Sequence, residues 1–173
     1  MNMSAVTTHI RDAIPADAEA CAAIYAPYTT DTAVTFELTP PDAQEMAARI
    51  TAAQRHHAWL VLEEHDRVIG YAYAVPFRSR AAYAWSCEVS VYLDRDRRGS
   101  GHGRALYRAL LPALAARGMR TAVACMTLPN EPSLALHRSL GFTPVGTMHR
   151  IGYKHQTWHD VAWAELDLTA HTP

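Results

Sequence analysis

Three glycines alternate with other residues in one short segment beyond the middle of the chain. The segment reads Arg97-Arg98-Gly99-Ser100-Gly101-His102-Gly103-Arg104. It joins residues 85–93, which alternate like a strand, to residues 103–117, which have helical spacing and stop at Gly118. A helix N-terminus carries free N–H groups, and glycine lets these amides turn towards an oxyanion. The segment therefore predicts a strand–loop–helix unit that binds an anion through its backbone.

Spacing excludes two common nucleotide-binding loops for this segment. A P-loop requires a lysine directly after its last glycine, and the segment contains no lysine. The Rossmann fingerprint requires G-x-G-x-x-G, but the third glycine arrives one residue early and Arg104 stands in its place. Neither loop explains the three glycines.

Apolar periodicity and turn residues divide the rest of the chain into strands and helices. Strands are predicted at 9–13, 59–63, 68–75, 85–93, 120–128, 142–148 and 161–168, and helices at 15–28, 39–55, 103–117 and 132–140. Thr39, with Pro40 and Asp42 behind it, is predicted to cap the second helix. Too many strands are adjacent for a doubly wound fold, so the order predicts an α/β class with a mixed sheet. The length of 173 residues predicts one domain over 1–173.

Composition excludes several classes of protein. Lys+Arg 16 against Asp+Glu 17 gives a net charge of −1, which is unlike a nucleic-acid or membrane-surface protein. The N-terminus lacks a signal-peptide pattern, and no stretch is typical of a membrane span. Cys21, Cys87 and Cys125 are too scattered for a disulfide framework or a zinc site, which favours a reducing cytoplasm. The ten histidines show no metal-ligand spacing, so no metal is expected.

A second motif follows the glycine loop and leads to a family resemblance. Asn130-Glu131-Pro132-Ser133, then His137, then Gly141-Phe142 resembles the later motif of the GNAT acetyltransferases, and Arg98-x-x-Gly101-x-Gly103 resembles their pyrophosphate loop. The segments 83–85, 88–92, 128–133 and 154–161 resemble the phosphinothricin/methionine sulfoximine N-acetyltransferase family more narrowly. The resemblance implies a GNAT fold with a mostly antiparallel sheet splayed at the acetyl-CoA site. It also implies acetyl-CoA as donor, the α-amine of a small amino-acid-like molecule as acceptor, and a homodimer.

The resemblance also implies which residues hold acetyl-CoA. Backbone groups of Val91, Tyr92 and Leu93 would run along the pantetheine arm, which Asn130 and Ser133 would also contact. The loop would hold the pyrophosphate through Arg98, Gly99, Ser100, Gly101, His102 and Gly103, with Arg104 adding positive charge. As alternatives that the residues leave open, Asn130 is a loop residue and Ser133 a helix-start hydroxyl.

Acetyl transfer also needs a base for the amine and an acid for the departing thiolate. Glu88 shares one face of its strand with Ser90 and Tyr92, and a mid-strand glutamate is costly unless it has a partner or a function. We expect Glu88 to draw the proton from the amine, directly or through water. His137 stands where the superfamily often has the tyrosine that protonates the thiolate. His137 would either donate this proton itself or take part in a proton relay with Glu88. Tyr107 is the alternative proton donor for the thiolate.

Direct attack in a ternary complex is favoured over an acyl-cysteine, since Cys87 and Cys125 are predicted to be core thiols. An N–H near Tyr92 or Leu93 would polarise the acetyl carbonyl. The resemblance implies that Arg78 and Arg80 bind the acceptor's carboxylate and oxyanionic head, whereas the residues alone also fit a basic, mobile surface loop. The pocket would be completed by Phe36, Tyr73, Tyr83, Glu88, Ser90 and Val161.

Two other functions remain open at this point. The chain could acetylate a different amine, such as an ordinary amino acid or a peptide terminus. It could also be a non-catalytic acyl-CoA-binding or sensing domain, although such a domain would not need both Glu88 and His137.

Overall fold

The computed structural model describes residues 8–169, which form seven strands and four α-helices around one sheet. The elements in chain order are β1 (Thr8–Asp12), α1 (Ala18–Asp31), α2 (Ala43–His56), β2 (Trp59–Glu64), β3 (Arg67–Pro76), β4 (Ser86–Leu93), α3 (His102–Ala116), β5 (Thr121–Thr127), α4 (Glu131–Ser139), β6 (Thr143–Lys154) and β7 (Thr157–Asp167). Short 3-10 turns occupy Pro15–Asp17, Ala81–Tyr83 and Arg95–Arg97. This order confirms the predicted α/β class and mixed sheet.

The sheet is antiparallel except at its centre. Its strand order is β1-β2-β3-β4-β5-β7-β6, and only β4 and β5 run parallel. Parallel neighbours need a crossover connection, which α3 provides between β4 and β5. The glycine loop therefore lies at the end of β4, beside the sheet's one parallel pair.

The sheet has a separate hydrophobic core on each face. On one face, Leu106, Leu110 and Leu114 of α3 are fully buried together with Cys87 and Val89 of β4. Their spacing of four along α3 matches one helical stripe, and each leucine contributes about 1.5–3 kcal/mol by burial. On the other face, α1 and α2 cover an aromatic cluster that includes residues of β2, β3 and β4.

The start of α2 differs from the sequence prediction. The cap is Asp42, whose side chain accepts a hydrogen bond from the Glu45 amide at 2.8 Å, and the helix begins at Ala43. The prediction that Thr39 caps this helix is wrong, because a carboxylate at position 42 satisfies the first-turn amides without the two prolines entering the helix. Met46 and Ile50 lie on the inward face of this helix and are buried.

The last two strands are longer than the sequence predicts. β6 continues to Lys154 and β7 starts at Thr157, so the predicted loop around residues 149–160 is a hairpin instead. His155 and Gln156 form its two-residue turn with φ values of 51° and 58°. Neither residue type is the glycine or asparagine that signals such a turn, which explains the missed strands.

Candidate active site

The central strands separate at the middle of the sheet. β4 and β5 pair only from Ser86↔Thr121 to Glu88↔Val123, although β4 continues to Leu93 and β5 to Thr127. The upper halves of the two strands therefore leave a wedge-shaped gap between them. This is the splayed sheet that the family resemblance implies.

Backbone groups of β4 face into this gap. At the ends of β4, the Phe77 amide donates to the Ser86 carbonyl at 3.3 Å and the Asp94 amide donates to the Ile69 carbonyl at 2.8 Å. Since hydrogen-bonded pairs alternate along antiparallel strands, the even-numbered residues of β4 bond to β3. The odd-numbered residues, which include Val91, turn their amides and carbonyls towards the gap.

Leu93 and Tyr92 accordingly differ in what their backbones offer. The Leu93 carbonyl already accepts a hydrogen bond from the Tyr28 hydroxyl at 2.6 Å, so Leu93 offers its N–H to the gap. The backbone of Tyr92 bonds to β3 and not to the gap, while its ring lines the cavity described below. Val91 and Leu93 are therefore the predicted pantetheine residues with free backbone donors in the gap.

The glycine loop turns its backbone with two left-handed residues. Gly99 has φ +82° and Gly101 has φ +79°, and Gly101 is the N-cap of α3. A Cβ at either glycine would have no atom within 4 Å, so the space in front of the loop is open. Ser100 Oγ and His102 Nδ1 lie 3.2 and 3.3 Å from the Arg97 carbonyl oxygen. These contacts hold the loop in a conformation that leaves the first amides of α3 free for an anion.

Gly103 has a different role from the two glycines before it. It is buried inside the first turn of α3, and a Cβ there would approach the Leu136 side chain of α4 to 3.3 Å. Asn130 caps α4 by accepting a hydrogen bond from the Ser133 amide at 3.3 Å. Gly103 and Asn130 thus position the helices on the two sides of the gap.

The arginines around the loop divide into two groups. Arg95 pairs with Asp31 at 3.0 Å and Arg97 pairs with Glu64 at 2.7 Å, so both are tied to carboxylates of the fold. Arg98 and Arg104 are exposed, and neither forms an ion pair within residues 8–169. They are the cations at the start of α3 that remain free for a phosphate.

His137 and Tyr107 form a buried pair on the α3–α4 face of the sheet. His137 is 5% exposed and Tyr107 is 1% exposed. His137 Nδ1 lies 2.8 Å from the Ser133 carbonyl oxygen, which can only accept, so Nδ1 carries the proton and Nε2 accepts from the Tyr107 hydroxyl at 3.3 Å. Burial lowers the pKa of His137 and raises the pKa of Tyr107 well above its ordinary value.

His137 is not joined to Glu88. Its side-chain partners in the described part of the chain are Ser133 and Tyr107, because β4 directs Glu88 to the sheet face opposite the helices α3 and α4. A direct relay between His137 and Glu88 is therefore absent from residues 8–169. Burial raises the pKa of Tyr107, and Tyr73, Cys125 and Glu88 act in the same direction.

A cavity of about 380 Å³ opens on the α1–α2 face beside the gap. Its lining combines two carboxylates with hydroxyl and aromatic side chains: Tyr25, Val34, Thr35, Phe36, Glu37, Tyr73, Glu88, Ser90, Tyr92, Cys125, Thr127, Ile151, Val161 and Trp163. Glu88 stands at the point where β4 and β5 part, and the Cys125 thiol donates to its Oε1 at 3.2 Å. A neutral or cationic amine in this cavity would meet Glu88 next to the gap.

Five of the eight residues predicted for the acceptor pocket line this cavity, and three do not. Those that line it are Phe36, Tyr73, Glu88, Ser90 and Val161. Arg80 and Tyr83 lie on the exposed loop after β3 and are not part of the lining. Arg78 lies at the edge, with its guanidinium 4.5 Å from the Phe77 ring centroid and 5.9 Å from that of Trp163.

The prediction that Cys125 is a core thiol is wrong, and several residues that line the cavity were not identified from the sequence. Cys87 is buried as predicted, but Cys125 is exposed and not a core thiol. Although the residue opens to solvent, the protein atoms around its thiol exclude water and raise the pKa of Cys125 to about 12; Glu88 acts in the same direction, so the group stays a thiol. Alternation along β5 would have placed Cys125 and Thr127 on one face, but no sequence signal brings Thr35, Glu37 or the remaining lining residues to it.

Two further observations concern metal ions and membranes. Within residues 8–169, no group of three His, Cys, Asp or Glu side chains is arranged to hold a metal ion. No helix in that part of the chain has the length and apolar character needed to cross a membrane.

Several known proteins with similar sequences and structures are named as acetyltransferases. The phosphinothricin N-acetyltransferase of Streptomyces viridochromogenes is 38% identical over 95% of this chain and 90% of its own length. The L-methionine sulfoximine/L-methionine sulfone acetyltransferase of Pseudomonas aeruginosa is 34% identical, with 94% and 96% covered. A GNAT superfamily phosphinothricin acetyltransferase from Sinorhizobium meliloti, solved in complex with AcCoA, superimposes with a TM-score of 0.90 at 38% identity, covering 96% of this chain and 93% of that one.

The family model for the acetyltransferase (GNAT) domain matches residues 10–163, a range that includes the glycine loop, the gap and the cavity. This match and the sequence identities agree with the splayed sheet. The chain therefore belongs to the GNAT acetyltransferase family.

Proposed function

We propose that this chain, as a single domain, transfers the acetyl group of acetyl-CoA to the α-amine of a small amino-acid-like molecule. Phosphinothricin, methionine sulfoximine and methionine sulfone are the proposed acceptors, because relatives at 34–38% identity carry these names. The observation that carries the proposal is the position of Glu88, which lies in the acceptor cavity at the point where β4 and β5 part.

The residues present fit the diphosphate and the pantetheine arm of acetyl-CoA. Gly99 and Gly101 leave open space before the free amides of α3, which suits a diphosphate, and the unpaired Arg98 and Arg104 add positive charge. Backbone groups of Val91 are free for the amides of the pantetheine arm, and the Leu93 amide is free for the acetyl carbonyl. When bound in this way, acetyl-CoA supplies an acetyl group activated as a thioester.

The cavity suits the acceptor amine through its charge. Glu88 gives the lining a negative charge, whereas the Glu37 carboxylate is already paired with Arg49, and the Arg78 guanidinium at the edge is suited to the acceptor's carboxylate. Glu88 attracts the ammonium and takes its proton, directly or through water. An α-amine with a pKa of about 8 is roughly one-tenth neutral at pH 7, so forming the nucleophile costs only about 1.4 kcal/mol.

Tyr107 and His137 provide the proton for the departing thiolate. The Tyr107 hydroxyl carries the proton, and His137 Nε2 holds this hydroxyl in place by accepting its hydrogen bond. The Leu93 amide stabilises the developing charge on the acetyl oxygen. Tyr107 is therefore the proposed acid, and His137 is a positioning residue.

Replacing Tyr107 tests this assignment. In Tyr107→Phe we expect kcat to fall about 10-fold, which is less than the factor of 10²–10⁴ typical for loss of a general acid, since water can partly replace it. We also expect a stability loss of about 1 kcal/mol, because His137 Nε2 loses its donor. Steady-state kinetics and urea unfolding measure the two effects, and an unchanged kcat would remove Tyr107 from the proton path.

The proposed function itself is tested with purified protein and a panel of amines. Thiol release from acetyl-CoA should be fast with phosphinothricin, methionine sulfoximine and methionine sulfone, and at least 10-fold slower, as kcat/KM, with methionine, alanine and a peptide amine. Tight acetyl-CoA binding without thiol release from any amine would instead establish the sensing role. Expression of the active protein should also allow a phosphinothricin-sensitive bacterium to grow in the presence of phosphinothricin.

We further propose that the chain forms a homodimer in the cytoplasm. β6 is an edge strand, and its surface with β7 exposes apolar side chains that are 47–61% accessible, an arrangement that favours association. These side chains are Val145, Met148, Ile151, Tyr153 and Trp158. The free cysteines, of which Cys125 is exposed, suit a reducing compartment. Light scattering and cell fractionation test the two statements.

A further inference from the structure

Lys154 is the single lysine of the sequence, and it is buried at the end of β6. Only 3% of the surface of Lys154 is exposed to solvent. The Nζ group donates to the carbonyl oxygens of Thr35 and Glu37, each at 2.8 Å. Burial lowers the pKa of Lys154, which the nearby Glu37 carboxylate opposes. A buried ammonium is costly, so its two hydrogen bonds to one segment identify a specific role.

The segment that Lys154 holds is a wall of the acceptor cavity. Residues 32–42 connect α1 to α2 without a helix or strand, and Val34, Thr35, Phe36 and Glu37 line the cavity. Such a segment has no ladder of its own to satisfy its buried carbonyls. Lys154 supplies the missing donors from the β6–β7 hairpin, which otherwise belongs to the far edge of the sheet.

Two other sets of contacts hold the side chains of this wall. The Tyr25 hydroxyl lies 2.6 Å from Thr35 Oγ1 and donates to Glu37 Oε1 at 3.1 Å. Arg49 holds the Glu37 carboxylate through two bonds of 2.6 and 3.1 Å. The side chains are therefore tied to α1 and α2, whereas the backbone of the wall depends on Lys154.

The backbone of β6 at Gly152 contacts the ring of Phe36, which is another residue of the wall. A Cβ at Gly152 would come within 2.2 Å of the Phe36 ring, so the ring lies directly on the backbone of β6. Phe36 also lies 6.1 Å from the His159 ring of β7, measured between centroids. The hairpin thus places both the backbone and the aromatic side chain of the wall.

We propose that Lys154 is a positioning residue for acceptor recognition, which pins the backbone of residues 32–42 so that Thr35, Phe36 and Glu37 face the amine substrate. This inference rests on the proposed function of the cavity. Lys154 takes no part in chemistry at the thioester, and its hydrogen bonds go to Thr35 and Glu37 rather than to the glycine loop. It therefore controls the KM of the amine and leaves the affinity for acetyl-CoA unchanged.

The first test removes the ammonium and keeps the length of the side chain. In Lys154→Met we expect the KM for methionine sulfone to rise about 10-fold, with kcat within about 3-fold and the Kd of acetyl-CoA unchanged. Arg120→Met is the matched control, because it removes an exposed cation at the start of β5 and should keep all three constants. An unchanged KM in Lys154→Met, or an equal rise in the control, overturns the proposal.

A second variant tests the wall with Lys154 in place. Lys154→Met leaves two buried carbonyls without a donor, and a poorly folded variant would give no kinetics. Gly152→Ala instead displaces the Phe36 ring and keeps the ammonium. We expect Gly152→Ala to raise the KM for the amine while kcat and the affinity for acetyl-CoA stay at their wild-type values. A folded Gly152→Ala variant with the wild-type KM would contradict the proposal.

A third measurement needs no enzymatic activity. The primary amines that an acetylating N-hydroxysuccinimide ester can modify in this sequence are Lys154 and the N-terminus, and peptide mass spectrometry separates them from each other and from side reactions. Lys154 in the native protein should react at least 10-fold more slowly than in urea, since the wall must open to release it. If Lys154 reacted equally fast in the native protein and in urea, the proposal that it holds the wall would be overturned. Failure of the wild type to acetylate any amine would overturn the proposed function and leave this result interpretable.

Discussion

Glu88→Gln is expected to lower kcat about 100-fold while leaving the KM for acetyl-CoA within about 3-fold of wild type. The amide has the same shape and still accepts the hydrogen bond from Cys125, so the wall of the cavity is kept. It cannot take a proton, and removal of a general base typically costs a factor of 10²–10⁴. Steady-state thiol release with saturating methionine sulfone measures the loss.

Glu165→Gln is the matched control for this change. Glu165 is an exposed glutamate of β7 outside the acceptor cavity, so the variant makes the same chemical change without touching the site. We expect wild-type kinetics from it. If Glu88→Gln also kept the wild-type kcat, the amine would lose its proton by another route, and Glu88 would only orient the ammonium.

Gly101→Val is expected to raise the Kd of acetyl-CoA about 100-fold. Gly101 has φ +79°, a region that β-branched residues avoid, so the variant must turn the backbone and redirect the first amides of α3. The expected loss corresponds to about 2.7 kcal/mol, comparable to one or two charge-assisted hydrogen bonds to a diphosphate. Calorimetric titration with acetyl-CoA measures it directly.

Gly118→Val separates this loss from simple backbone strain. Gly118 follows the other end of α3 with φ +89°, and a Cβ there meets only Trp85, at 3.8 Å. Both variants should lose stability in urea unfolding, whereas only Gly101→Val should lose affinity for acetyl-CoA. Equal affinities in the two variants would mean that the loop does not hold the diphosphate.

The donor side of the site was the more predictable side. Its residues follow one another in a single strand–loop–helix unit, so local spacing alone places Leu93, Gly101 and the start of α3 together. The direction of each β4 backbone group was not predictable, because it depends on which neighbour pairs with β4. For that reason Tyr92 was expected to contact the donor through its backbone, and the pairing with β3 excludes it.

The acceptor side was predicted only where it lies on the central strands. Tyr73, Glu88 and Ser90 follow from strand alternation, and they line the cavity. Arg80 and Tyr83 were assigned from the order of residues in a loop, whose path alternation does not determine. The wall at residues 32–42 was largely missed, since its position depends on Lys154, more than a hundred residues away in sequence.

The sequence alone determined the succession of elements, the glycine turn before α3 and the face of β4 that carries Glu88, because these depend on neighbours within a few residues. The tertiary structure decided where β4 and β5 separate, that Tyr107 donates to His137 on the opposite face from Glu88, and that the single lysine supports the acceptor wall. Each of these depends on contacts between segments far apart in the chain. Such contacts form only when the sheet brings those segments together, and no local pattern encodes them.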